Sequence, residues 1–263
     1  MNKGLIILIA LVFASCSQKL VPVDSKQQVE TTEGVIEPTK PAETEVWEPK
    51  PKVVEVDEET QIPSDAIVLF NGKNFNEWES SADASGVEWI LNPDKSMTVK
   101  NKAGDIQTKR DFGDMQLHIE WKSSEEIKGK GQSRSNSGVF IQGRYEVQVL
   151  DNNENETYVN GQVGSIYKQG IPLAKASSET GKWNVYDIIY HAPVFNEAGE
   201  KTEAGTITVL HNGVLIQDHY EIKGTTEFIG WPKNKPHGKA PIKLQDHRDN
   251  SSVSYRNIWV REL

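Results

Sequence analysis

From about residue 63 onward the chain is built of short runs in which apolar and polar residues partly alternate, each closed by turn-forming residues. AIVLFNG, VEWIL, SMTVK, MQLHIEWKS, SGVFIQG, YEVQVLD, WNVYDIIYH, TITVLHNGVLIQD, PIKLQDH and SVSYRNIWVREL follow one another, rich in β-branched and aromatic side chains. A period of two sends alternate side chains to opposite faces of a strand, and no amphipathic helix pattern lies between the runs. Asn212-Gly213 supplies both positive-φ positions of a type I′ turn, so TITVLH and VLIQD should pair as an antiparallel hairpin. Many strands and almost no helix predict an all-β fold over 63–263, a jelly-roll sandwich of two antiparallel sheets.

The residues before it read differently. MNKGLIILIALVFASCSQK places Lys3 ahead of an apolar run and ends it at small residues and Cys16, the single cysteine of the 263-residue chain. Residues 1–16 therefore read as a lipoprotein-type signal peptide with Cys16 as the lipidated residue, the plainer alternative being a secretory signal with an incidental cysteine. Residues 17–62 are rich in Glu, Thr, Pro, Val and Lys and bury too little apolar surface to offset chain entropy, which predicts a disordered tether with Trp47 exposed. Together these imply a lipid-anchored protein of a bacterial envelope, on the periplasmic rather than the outer face, because Ser17-Gln18-Lys19-Leu20 carries no acidic run. A net charge of -9 argues against a nucleic-acid partner.

Alternation also assigns faces. If Val147 and Val149 enter the core, Glu146 and Gln148 share the opposite face; Gln245 and His247 share a face in the same way, with Leu244 and Asp246 behind them. Acidic residues at alternate strand positions would suit a retaining glycosidase, whose two carboxyl groups stand about 5–5.5 Å apart, but the second of these positions is an amide. Asp151 to Glu156 gathers hard oxygen ligands yet lacks the spacing of a calcium loop and reads better as a polar turn.

Several stretches together, LFNGKNFNEW, GDIQTKRDFGDMQLHIEWK, SNSGVFIQGRYEVQVLD, VGSIYKQG, GKWNVYDI and PIKLQDH with SYRNIWVREL, resemble in order the 3-keto-disaccharide hydrolase family. The resemblance spans Ile67 to Leu263 and implies a concanavalin A-like jelly roll with a carbohydrate cleft on its concave sheet, cleaving glycosides already oxidised at C3. The chain departs from the family pattern at Lys168, where a small residue is usual, and at Arg248-Asp249, where glycine commonly follows the QDH motif. A 3-keto sugar has an acidic C2 hydrogen, so one general base and one electrophile can expel the C1 substituent, and water can then add.

On this reading Glu146 and His247 are the catalytic candidates, His247 because imidazole ordinarily titrates near about pH 6.5. The two are also the candidate ligands of a divalent metal, which would stabilise an enolate. Gln148 and Gln245 are expected to bind sugar hydroxyls, with Asn136 and Arg110 further along the cleft. Trp183 and Asn184 are expected to stack on and hydrogen-bond the sugar, and Arg256 to hold an oxyanion. The rival reading is a lectin-like module that binds carbohydrate without cleaving it.

Overall fold

In the longest strands the burial alternates as the sequence predicts. Across Met115–Lys122 the side chains of Met115, Leu117, Ile119 and Trp121 are fully buried, whereas Gln116, His118, Glu120 and Lys122 lie on the other face. The computed structural model describes residues 37–250 and 252–263. Its strands, in chain order, are β1 (Ile67–Phe70), β2 (Trp78–Ser80), β3 (Ile90–Leu91), β4 (Met97–Thr98) and β5 (Ile106–Thr108). There follow β6 (Met115–Lys122), β7 (Ser137–Ile141), β8 (Tyr145–Val149), β9 (Trp183–His191) and β10 (Val194–Phe195). The last are β11 (Lys201–Glu203), β12 (Thr206–His211), β13 (Val214–Glu221), β14 (Lys243–Leu244) and β15 (Ser254–Glu262). Among the described residues the only helical turns are three short 3-10 segments.

Every pairing is antiparallel. An eight-stranded sheet runs β13-β12-β9-β6-β15-β4-β3, with β1 also on β15; a five-stranded sheet runs β2-β5-β14-β7-β8; β10 and β11 form a small separate ribbon. Leu117, Ile119, Tyr186 and Ile188 from the larger sheet and Val139, Ile141, Val147 and Leu244 from the smaller belong to one apolar core. The expected hairpin is present: Asn212 and Gly213 have φ of 51° and 78°, and His211 pairs with Val214. This is the two-sheet antiparallel jelly roll that the alternation predicts.

The compact unit begins at Val53 rather than 63. Val56 bridges Pro63, Asp57 closes a turn onto Thr60, and Asn257 Nδ2 donates to the Thr60 carbonyl, so residues 53–62, read from their composition as tether, are part of the domain. Backbone hydrogen bonds hold this stretch, and they leave no trace in apolar content. Residues 37–52 belong to a separate unit and carry one 3-10 turn at Pro41–Glu43 and exposed side chains including Trp47. The signal segment and Cys16 lie outside the described residues.

Candidate functional site

Three of the five strands in the smaller sheet put the candidate residues side by side. Register across the sheet aligns Lys243 of β14 with Phe140 of β7, and Phe140 with Glu146 of β8. One step along, Gly138 pairs with Gln148, and the Gln245 backbone N–H donates to the Gly138 carbonyl. Gln245 and Gln148 thus flank a glycine. A Cβ at position 138 would collide with Glu146 Oε1 and meet the Phe140 ring at 2.7 Å, so the absent side chain makes room for the carboxyl group.

A cavity of about 340 Å³ opens on this face of the sheet, lined by Asn136, Phe140, Glu146, Gln148, Tyr167, Thr226, Phe228, Gln245 and His247. Five expected site residues, Glu146, His247, Gln148, Gln245 and Asn136, therefore converge. Glu146 contributes the sole carboxyl group among those lining residues.

Glu146 does not face open solvent, as a bare outer sheet face would require. It is 4% exposed and Gln148 1%, because two irregular segments cover β8. One runs alongside as an extra edge: Gln148 N–H donates to the Ser165 carbonyl, and Tyr167 N–H donates to the Glu146 carbonyl. The other arrives from the 225–228 loop, where Thr226 Oγ1 accepts from Glu146 N–H. The Glu146 carboxyl receives no hydrogen bond from the described residues. Burial pushes its pKa from 4.5 to about 8; Lys243 opposes the shift and Asp105 adds to it. At neutral pH the group is a neutral acid with a proton to give.

His247 is half-buried at the cavity wall, and its Nδ1 lies 2.8 Å from Asp249 Oδ2. A carboxylate only accepts, so Nδ1 carries the proton and Nε2 is the free position of the neutral ring. Asp249, which reads in the sequence only as a departure from the family pattern, is the residue that orients the histidine. The amides form a third group. Gln148 Nε2 donates to Gln132 Oε1 and to Asn136 Oδ1, and Asn136 Nδ2 donates to the Gln132 carbonyl. With its amide nitrogen so engaged, Gln148 Oε1 is buried without a partner, as is Gln245 Oε1. An unpaired buried polar atom costs about 1–3 kcal/mol, and a ligand hydroxyl would relieve it.

Four expected cleft residues lie elsewhere. Arg110 follows β5 and pairs with Glu77 at 3.1 Å. Asn184 points into the core, where it accepts from Ser178 N–H and meets His211 Nε2 at 2.9 Å; burial pushes that histidine down to about 4 and keeps it neutral. Trp183 and Arg256 sit on the outer face of the larger sheet, the guanidinium stacked over the indole at 4.1 Å and bonded to Glu120 at 2.6 Å. Alternation separates the core side of a strand from its other side, but a sandwich has two outer faces. Nothing in the pattern says which one holds the cleft.

Gln132, Tyr167, Thr226 and Phe228 escape the sequence reading because they lie in segments without periodicity. Their one signal is retrospective: FIGWP, residues 228–232, is an apolar loop too short for a strand of its own. Among the described residues no group of three or more His, Cys, Asp or Glu side chains converges as a metal site. A divalent ion at the cavity would find Glu146, His247 and the two unpaired amide oxygens. The Asp151 cluster is occupied otherwise, since Asp151 bonds Arg134 Nε at 2.9 Å and accepts from Thr180 Oγ1.

Residues 65–261 match the family model described as the 3-keto-alpha-glucoside-1,2-lyase-like domain. The chain belongs to this family. A crystal structure from Parabacteroides distasonis, provisionally described as a glycosyl hydrolase, is 53% identical, with a TM-score of 0.81, covering 85% of this chain and 97% of that one. A second structure from the same organism is 19% identical with a TM-score of 0.53, covering 75% of this chain and 94% of the other, a likeness of fold alone. No curated protein matches the chain.

Proposed function

We propose that the domain cleaves glycosides whose sugar carries a ketone at C3, by elimination across C1–C2 followed by hydration. The observation that carries the reading is the pairing of one buried carboxyl group without a hydrogen-bond partner with one carboxylate-oriented imidazole at the same cavity, without a second acid among the lining residues. Family membership and the 53% identical relative described as a glycosyl hydrolase support a carbohydrate-active enzyme.

The division of labour follows from the protonation states. His247 Nε2 removes the C2 hydrogen, and its positive charge is held by Asp249 across Nδ1. The electron pair left at C2 is delocalised onto the C3 oxygen as an enolate, then returns to form the C1=C2 bond and expel the C1 oxygen. Glu146 supplies the proton that the departing oxygen needs, a task for which a pKa of about 8 suits it at neutral pH. Water adding to the resulting enone at C1 completes a net hydrolysis. Gln148 and Gln245 offer acceptor oxygens to sugar hydroxyls. A divalent metal held by Glu146 and His247 is the alternative arrangement: it would supply Lewis-acid stabilisation of the enolate, but would engage the Nε2 lone pair and the carboxyl group that the base and acid roles use.

The test is to incubate the domain with a 3-keto glucoside in D₂O and follow C2 by proton NMR. Elimination and readdition place deuterium at C2 of the released sugar and produce a transient enone absorbance, whereas direct displacement at C1 gives neither. Parallel reactions with and without chelator decide the metal. For the whole chain we propose attachment to the bacterial envelope through a lipidated Cys16; a Cys16→Ser variant that stays in the membrane fraction would exclude it.

A further inference from the structure

Beside the central cavity, and sharing Phe140 and Thr226 with it, is a second one of about 320 Å³ lined by Gly143, Arg144, Thr225, Glu227, Lys233, Lys235 and Lys243. Four cations therefore gather at one end of the cleft in a chain whose net charge is -9. Two of them are held in place. Arg144 follows a turn in which Gln142 and Gly143 both have positive φ, its Nη1 donates to the Gln142 carbonyl at 2.7 Å, and its own carbonyl accepts from Thr226 N–H. Lys243 lies over the Phe140 ring at 4.3 Å and bonds Asp105 at 3.1 Å.

The other two come from the far side of the loop. Its base is closed by Thr225 N–H donating to the Lys233 carbonyl at 2.9 Å. The acids nearby do not balance the set: Glu227 faces both Lys233 and Lys235, and Asp105 is engaged by Lys243. A positive excess of two charges remains at this end of the cleft, counting Arg144, Lys233, Lys235 and Lys243 against Glu227 and Asp105. Fixed cations over an aromatic floor, next to a sugar-sized cavity, favour a negatively charged group attached to the sugar or its leaving group.

We propose that this second cavity is an anion subsite and that the favoured substrates are acidic glycosides, bearing a carboxylate, sulfate or phosphate within one ring of the bond that breaks. The idea rests on the central cavity being a sugar site, not on the chemistry performed there. Lys243 and Glu146 start two strands apart, about 10 Å between backbones, and the Lys243 ammonium leans over Phe140, the residue between them, which brings it within about one sugar ring of Glu146's strand.

The experiment is calorimetric and needs no turnover. Binding of p-nitrophenyl glucuronide, of the matching neutral glucoside, and of glucosides with a 6-sulfate or a 6-phosphate is compared at low and high salt. The acidic probes should bind about tenfold or more tightly than the neutral one, in line with a charge-assisted contact, and the preference should shrink with salt. The order among the three anions tells carboxylate from sulfate and phosphate. In Arg144→Gln/Lys235→Gln the preference should collapse, whereas Lys100→Gln, a remote exposed control, should retain it. Equal binding of acidic and neutral probes, no binding by any of them, or a preference that survives the double variant overturns the anion subsite. A charge preference in a protein that leaves 3-keto glucosides intact would keep the subsite and reject the elimination reading.

Discussion

The two outer faces of this sandwich carry similar residue types to opposite ends. On the larger sheet, His118 stacks on Trp259 at 5.0 Å, with Nδ1 at 2.7 Å from Asp187 and Nε2 at 3.9 Å from Glu120. Glu120 also accepts from Arg256 Nε at 2.6 Å and Asn257 Nδ2 at 2.9 Å. Burial alone would neutralise both groups, but the partners outweigh it, raising His118 to about 9 and lowering Glu120 to about 2. On the smaller sheet Glu146 is buried more deeply, has no such partners, and is raised to about 8. An acid–histidine pair therefore marks a site only when its polar atoms are left for something else to satisfy. The face that is electrostatically complete is architecture, and the incomplete one is the candidate for chemistry.

The sharpest break in the comparison is Glu146→Gln. Losing the proton donor should lower turnover of a 3-keto glucoside by about 10²–10⁴-fold, measured at saturating substrate. Stability should move the other way. Because the folded-state pKa is raised, the stability Glu146 contributes is fully present below its ordinary 4.5 and lost as pH rises through about 8. The variant should gain relative to the parent across that window in urea titrations, and a flat difference would contradict a protonated Glu146.

Gly138→Ala leaves the chemistry intact and displaces it. A methyl group contacting Glu146 Oε1 must push the carboxyl aside, and misplacement of about 1 Å typically costs on the order of 100-fold in rate. A circular dichroism melt near the parent's with the rate loss intact would separate displacement from unfolding.

Glu120→Ala should invert the pattern. It leaves Arg256 without its carboxylate and His118 with Asp187 alone, and should cost on the order of 2 kcal/mol of stability, between the values for exposed and buried pairs, with turnover within twofold of the parent. Glu120 has a lowered pKa, so its contribution is present above 4.5 and lost as pH falls toward 2; that of His118 is present below 6.5 and lost as pH rises through 9. The parent's stability should exceed the variant's most between those limits. Smallest is Gln148→Ala, which removes one buried acceptor and should weaken sugar binding by about tenfold with a lesser effect on the rate at saturation. A loss at saturation as large as that of Glu146→Gln would move Gln148 from binding into catalysis.

Much of this is legible in the amino-acid sequence. Alternation in MQLHIEWK and WNVYDIIY predicts strands β6 and β9 and their core faces, Asn-Gly predicts the β12–β13 turn, and YEVQV and LQDH each put two polar residues on one face, Glu146 with Gln148 and Gln245 with His247, which the family resemblance joins in one cleft. The rest was hidden for local reasons. β2 and β5 are three residues each, too short to show a period. In β15 the register shifts between Arg256 and Trp259, with Asn257 at φ 46°, so alternation loses its phase where the family motif SYRNIW invites a functional reading. The walls around Glu146 are loops whose positions follow from backbone bonds, which residue types do not advertise.

Those backbone bonds bear on how the protein can change over generations. The 162–168 stretch is fastened to β8 mainly through main-chain N–H and carbonyl groups, contacts available to every residue except proline as donor. Lys168, the one exposed residue of the stretch, can therefore be exchanged without loosening the strand that presents Glu146, whereas Val163 and Ile166 are fixed by the core and Tyr167 by the cavity wall. Selection for a new glycoside has that one rim position to work on and an acid that stays where it was.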